Sequence, residues 1–242
     1  MHVLILSLDT SSPSGSVAIL RDEITLGVIS TRAEENYSSR IFRHLEFLLG
    51  DLTLKLADFD LFAASAGPGS FTGLRVGLTA AKGWAEVYCK PVVGVSALEA
   101  VASQAGGHVS VLVPALDARR GQIYFGVYGP GATGLALDGE EFVVTPEEFA
   151  EKLGALADAD GGVRRGDFTI VTPDASVVAA VSRLTSNLAA GFAGLEIVSG
   201  VLAPSIGRIA LARALRGHVS DALTLNANYV RRTDAEMRWK DG

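Results

Sequence analysis

Short apolar runs broken by polar turns open the chain: Val3-Leu4-Ile5-Leu6-Ser7-Leu8, a polar stretch over residues 9–15, then Ser16-Val17-Ala18-Ile19-Leu20. This pattern predicts strand, turn, strand, and a second turn at Arg21-Asp22-Glu23 leads into a third strand over 24–29. Residues 38–52 change period, with Ile41, Leu45, Leu48 and Leu52 at helical spacing and Phe42 and Leu49 widening the stripe. The run Asp60-Leu61-Phe62-Ala63-Ala64 has the continuous apolar character of a buried strand. Residues 74–88 again carry helical spacing, through Leu74, Leu78, Ala81 and Ala85 and through Val76, Ala80 and Trp84. A strand at Val92-Val93 follows, and Ser96-Ala97-Leu98-Glu99 matches a capping box that starts a helix ending at Gly106-Gly107.

Past that double glycine the pattern starts again. Residues 109–116, the turn Asp117-Ala118-Arg119-Arg120-Gly121, and residues 122–128 repeat the opening hairpin, and Leu116-Asp117-Ala118 echoes Leu8-Asp9-Thr10. Thr145-Pro146-Glu147-Glu148 is a helix start with a cap, an N1 proline and acids in the first turn. A loop over 157–166, a strand at 169–171, a helix over 176–188 and a last helix over 204–216, with Ile206, Ile209, Ala210 and Arg213 on one stripe, complete the pattern. Two hairpins with an acid in the turn predict an α/β chain with a duplicated fold of the actin and sugar-kinase (ribonuclease H-like) type, two mixed-sheet domains with helices. The domains fall at 1–106 and 107–214, with 215–242 rejoining the first. In such folds the hairpin turns touch nucleotide phosphates or their metal, which makes Asp9, Thr10 and Asp117 candidate, vestigial nucleotide-binding residues. The alternative is that both aspartates are turn residues, a common role for that side chain.

Between the fourth strand and the long helix lies Ser65-Ala66-Gly67-Pro68-Gly69-Ser70-Phe71-Thr72-Gly73-Leu74-Arg75. It is not a P-loop, because five residues separate Gly67 from Gly73 and Leu74-Arg75 replaces Lys-Ser/Thr. It is not the dinucleotide fingerprint either, since three residues follow Gly69 before Gly73 and the next strand ends in Ser96 rather than an acid. The glycines therefore read as turn and packing residues. Ser70 lacks the glycine spacing of a nucleophile elbow and has no base marked nearby.

Composition narrows the class further. The 242 residues are 48% hydrophobic, with no apolar run reaching the roughly 18 residues of a membrane span. The start lacks a basic flank and Asp9 breaks its apolar run, so the sequence predicts no secretory signal. A single cysteine, Cys89, suits a reducing cytoplasm, and the net charge of −6 argues against strong independent binding to nucleic acid. His2, His44, His108 and His218 are scattered, so no metal site is predicted.

Leu8-Asp9-Thr10, the run from Ala66 to Arg75, Gly94-Val95-Ser96, Leu116-Asp117-Ala118-Arg119 with Gly121, and Tyr229-Val230-Arg231 with Ala235-Glu236 resemble, in the same order from end to end, the bacterial TsaB (YeaZ) family. The resemblance implies a noncatalytic partner of the TsaD ATPase in making threonylcarbamoyladenosine beside the tRNA anticodon. TsaE joins the larger complex, and tRNA is reached through that complex. It also implies pairing through two helices of the first domain, with TsaD or with a second copy as a homodimer. No cofactor is required, and weak ADP or ATP binding is compatible with the fold. Many family members carry a histidine where Tyr37 falls, a departure of this chain. Gly73, Gly77 and Gly83 in one helix cost roughly 1 kcal/mol each where they are interior. That cost points to close approach by another helix, and to Ile41, Leu45, Leu48, Leu74, Gly77 and Leu78 as the partner face. Arg231 and Arg232 are candidate tail contacts to TsaD or tRNA phosphates. The reading from another class is an ATP-dependent small-molecule kinase of the same fold.

Overall fold

The computed structural model describes residues 2–12, 14–32, 40–106, 111–132, 134–158, 168–184 and 192–230. In the first half, β1 (Leu4–Asp9), β2 (Ser16–Arg21) and β3 (Ile24–Ser30) form the expected antiparallel meander. They are followed by α1 (Arg40–Asp51), β4 (Leu61–Gly67), α2 (Phe71–Tyr88), β5 (Val92–Ser96) and α3 (Ala97–Ala102). β4 and β5 add in parallel beside β1, giving the order β3-β2-β1-β4-β5.

The second half comprises β6 (Val111–Arg119), β7 (Gln122–Phe125), β8 (Tyr128–Gly131), β9 (Gly134–Leu137), β10 (Phe142–Val144), α4 (Pro146–Asp158), β11 (Phe168–Thr172), α5 (Ala175–Leu184), β12 (Phe192–Ile197) and α6 (Ala203–Ala214). Its sheet order is β10-β7-β6-β11-β12, with β8 pairing β6 and β9 off that path. Strand for strand this is the first sheet again: β6 stands for β1, β7 for β2, β10 for β3, β11 for β4 and β12 for β5. Duplication is therefore a property of topology, not only of the hairpins. The β8–β9 hairpin is an insertion that the sequence pattern did not separate, because residues 122–128 read as one apolar run. It breaks where Gly126 and Val127 leave the ladder.

β1 is the centre of the first sheet and is buried along its whole length. Its alternation sends Leu4, Leu6 and Leu8 into the core beneath α1 and α2, and Ile5 into the core shared with α3 and α6. Ser7 and Asp9 share the side of Ile5, and the Ser7 hydroxyl donates to Ala203 O at the start of α6 (2.6 Å). The Ala203 amide in turn donates to Ser16 Oγ (3.1 Å). So α6, assigned by sequence to a second domain ending at 214, packs instead on β1, β2, β4 and β5 of the first sheet. Its pseudo-equivalent α3 packs on β6 of the second sheet. Each half's last helix thus crosses to the other half, and one continuous core containing Leu98, Val101, Leu116, Tyr124, Val171, Ile206 and Ala210 joins them. The stripe of α6 marks the side that is buried, through Ile206 and Ala210, but a stripe does not name the sheet it packs on.

After α6, residues 218–230 run along the first half. Ser220 forms an antiparallel bridge with Val92 on the edge strand β5, and Leu225 enters the core beneath α2. Tyr37 and the tail residues Arg231 and Arg232 lie outside the described residues. Among the described residues, no helix is long and apolar enough to cross a membrane.

Candidate functional site at the glycine loop

The β4–α2 loop closes on the β1–β2 turn. Gly67 and Gly69 adopt φ of +113° and +159°, conformations that side-chain-bearing residues avoid. Close approach adds to that requirement: a Cβ on Gly69 would strike Ser11 O, and one on Gly73 would strike Thr10 O. A Cβ on Gly77, one turn along α2, would meet the Thr10 hydroxyl. The contact is fastened by hydrogen bonds, from the Ser70 amide to Ser11 O (2.7 Å) and from Thr10 Oγ1 to Gly73 O (2.7 Å). Ser70 is the N-cap of α2 and accepts from the Gly73 amide at 3.3 Å.

Asp9 sits at the end of β1 with no exposed surface. Its Oδ1 accepts from the amide (2.9 Å) and hydroxyl (2.6 Å) of Ser11. Among the described residues its Oδ2 has no partner, and neither does the buried Ser65 hydroxyl on the adjoining strand β4. Burial pushes the Asp9 carboxyl up to about 6, against the lowering effect of the Ser11 bonds. Asp117 repeats the arrangement in the second half: its Oδ1 accepts from the Arg119 amide (2.7 Å), two residues on, as Asp9 does from Ser11. The Asp117 amide donates to Asp174 Oδ2 (2.8 Å), and burial raises the Asp174 carboxyl, only partly offset by that bond. Arg119, Arg120 and Gly121 then take three successive left-handed conformations to close the turn.

A phosphate held by these turns would need free backbone amides and room above them. The Ser11, Ser70 and Arg119 amides are already spent within the chain, and the space over Gly73 is filled by Thr10 O. Those three amides therefore face acceptors within the chain rather than a nucleotide phosphate. Among the described residues, no group of three or more histidines, cysteines or acids is arranged to hold a metal ion.

The expected partner residues require a correction. Ile41, Leu45, Leu48, Leu74 and Leu78 are buried in the chain's own core, and Gly77 faces Thr10 rather than a foreign helix. What α1 and α2 present outward is different. Thr72, Val76, Thr79, Gly83 and Val87 recur at helical spacing along the open side of α2, and a Cβ on Gly83 would meet nothing. Beside this stripe Phe42 packs edge-on to Trp84 at 6.3 Å while remaining 52% exposed, and Phe47 and Val87 are 65% and 72% exposed.

A second set of side chains ties the halves together, and nothing in the sequence marks its central member, Glu141. Glu141, between β9 and β10, accepts from the Ser96 and Tyr128 hydroxyls and from Asn228 Nδ2. Arg213 on α6 pairs with Glu99 on α3 and donates to Gly94 O (2.8 Å). Glu99 is thus not the reciprocal member of a capping box: Ser96 Oγ accepts from the Leu98 and Glu99 amides, while the Glu99 carboxylate turns to Arg213. Glu141 sits in a Gly-Glu-Glu turn with no sequence feature to separate it from a solvated one.

Two outcomes are expected. Gly73→Ala loses at least about 2 kcal/mol of stability, because backbone cannot yield to the new Cβ, whereas Gly83→Ala gains up to about 1 kcal/mol from helix propensity, as read by urea titration. Because Asp9 ionises near 6 when folded and near its ordinary 3.8 when unfolded, the folded chain binds more protons between those values. Stability should fall by about 3 kcal/mol from this group as pH rises from about 3 to 7. Asp9→Asn should flatten that slope, and an unchanged slope in the variant would assign it to other groups.

A family model described as "TsaD: tRNA N6-adenosine threonylcarbamoyltransferase" matches residues 18–223. The tRNA threonylcarbamoyladenosine biosynthesis protein TsaB of Bacillus subtilis is 36% identical over 124 residues, 51% of this chain and 54% of that protein. The protein of the same name from Escherichia coli is 33% identical over 160 residues, 63% of this chain and 67% of that protein. The match thus spans little more than half the length of the first of these relatives. The solved structure of YeaZ from Pseudomonas aeruginosa superposes with a TM-score of 0.73 at 22% identity, covering 94% of this chain and 99% of that one, which establishes the shared fold. The chain belongs to the family that the TsaD model describes and, within it, to the TsaB (YeaZ) proteins.

Proposed function

We propose that this chain is a noncatalytic subunit that pairs with TsaD and activates it for threonylcarbamoylation of the adenosine beside the tRNA anticodon. The observation that carries the reading is the mutual closure of the first hairpin turn and the glycine loop. In this fold those two parts can hold a nucleotide, and here they hold each other, through Thr10 Oγ1 to Gly73 O and the Ser70 amide to Ser11 O. A chain that has turned its nucleotide-facing groups inward is suited to serve as a partner. A small-molecule kinase of this fold would need those donors free. No cofactor is required in this reading, and ADP or ATP binds the isolated chain weakly at most.

The outward face of α1 and α2 supports the pairing. It offers small and β-branched residues on α2 flanked by the exposed ring of Phe42 and the half-buried ring of Trp84, so a facing helix could approach closely at Gly83 and cover Phe42. The occupant we assign is TsaD, the subunit for which the matching family model is described. A second copy competes for the same face when TsaD is absent. TsaE and tRNA are reached through the assembled complex, in the cytoplasm.

Reconstitution tests this. In a mixture of the pathway enzymes, the modified nucleoside read by mass should depend on this chain, while the chain alone should turn over no ATP. Full modification without the chain, or ATP hydrolysis by it in isolation, would overturn the reading.

A further inference from the structure

Residues 218–230 form a strap that leaves α6 and runs over the first half. The His218 amide donates to Arg213 O (2.9 Å), and Ser220 exchanges two backbone hydrogen bonds with Val92. The Asp221 carboxylate then caps the amides of Leu223 (2.9 Å) and Thr224 (2.7 Å), turning the strap inward. Leu225 sinks into the core above Gly94, where a Cβ would lie 2.6 Å from Leu225 Cδ1. Lys82 of α2 donates to Leu225 O (2.9 Å).

At its far end the strap meets the glycine loop. The Asn228 amide donates to Ala66 O (2.6 Å), and Asn228 O occupies the space over Gly67. Next to it the Tyr229 ring lies 5.0 Å from the Phe71 ring, and Arg75 both donates to the Tyr229 hydroxyl (3.3 Å) and covers Phe71 at 3.9 Å. Phe71, Arg75 and Lys82 share the flank of α2 opposite to Trp84, so strap and α1 border the outward stripe from its two sides.

What fixes this end comes from the other half of the chain. The half-buried carboxylate of Glu141 collects three donors from three separate parts: Ser96 at the end of β5, Tyr128 on β8 (2.6 Å) and Asn228 on the strap (2.6 Å). A charged acceptor shared among converging donors in a partly dehydrated position is a strong and directional tie. We propose that Glu141 is a latch for the strap, and that by holding Asn228 it positions Tyr229 and Arg75 as one border of the partner face on α2. The second half of the chain then contributes to docking without touching the partner. This rests on the reading of the α2 face given under Proposed function.

The test exchanges donor and acceptor. In Asn228→Asp two carboxylates face each other and the latch opens. In the double variant Asn228→Asp with Glu141→Gln, the glutamine oxygen still accepts from Ser96 and Tyr128 while its amide donates to the new aspartate, and the latch closes again. Amide exchange of the peptide 222–230, measured by mass in the isolated chain at pH 8, should accelerate about tenfold or more in the single variant and return toward wild type in the double. Affinity for TsaD should fall and recover in the same order. Exchange unchanged in Asn228→Asp, or not rescued in the double variant, overturns the latch. Restored and lost exchange with equal TsaD affinity throughout overturns the positioning role. Failure of the wild-type chain to bind TsaD at all would instead reject the docking reading, and the exchange measurement would still decide the latch.

Discussion

The contact between the β1–β2 turn and the start of α2 is the constraint on which the rest of the first half depends. Thr10 and Ser11 lie against Gly69, Gly73 and Gly77 at distances that no side chain on those glycines would allow. The turn, the loop and the helix therefore move as one body. That body fixes the direction of α2, so the long helix leans its Leu74, Leu78, Ala81 and Ala85 stripe on the sheet and turns Val76, Gly83 and Val87 outward. The helix-propensity cost of Gly73 and Gly77 is offset inside the chain, by the hydrogen bonds and packing of the turn.

The two halves are joined by exchange rather than by a linker. α3 packs on the second sheet and α6 on the first, and their apolar shared core is accompanied by polar ties, among them Ser7 and Ser16 to Ala203, Arg213 to Glu99, and Glu141 to its donors. The ties of Arg213 and Glu141 are half-buried and border a core in which Ala, Leu and Val predominate, where burial alone would set distance but not register. The duplicated turns show the same economy. Asp9 and Asp117 each bond the amide two residues on, so the feature that suggested a nucleotide site also explains the turn without one.

Much of this was legible because strand and helix periods are local. The meander, the buried run before the glycines, α2 and the repeated hairpin all follow from alternation and from acids in turns. The sequence does not show which sheet an apolar helix packs on, and α6 lies on the first. Nor could it show what fills the space beside a helical glycine: Gly77 was read as an opening for another protein, yet its neighbour is Thr10, brought over by the sheet. Residues at regular apolar positions, such as Ile41 and Leu45, carry the core signal whether or not a partner exists. The proposed partner face rests instead on departures from amphipathicity, such as the exposed Phe42 and the open Gly83. Glu141 and Asn228 are ordinary turn and tail residues until the fold places them 2.6 Å apart.

The account makes the open side of α2 the point of assembly and the turn-facing side its internal support. The most direct test is the sedimentation of the chain mixed with TsaD, comparing wild type with Gly83→Arg. The substitution adds a charge where nothing in the chain would be disturbed, so the fold and its unfolding midpoint should persist while the heterodimer is lost. A heterodimer that survives unchanged with arginine at that position would contradict the account.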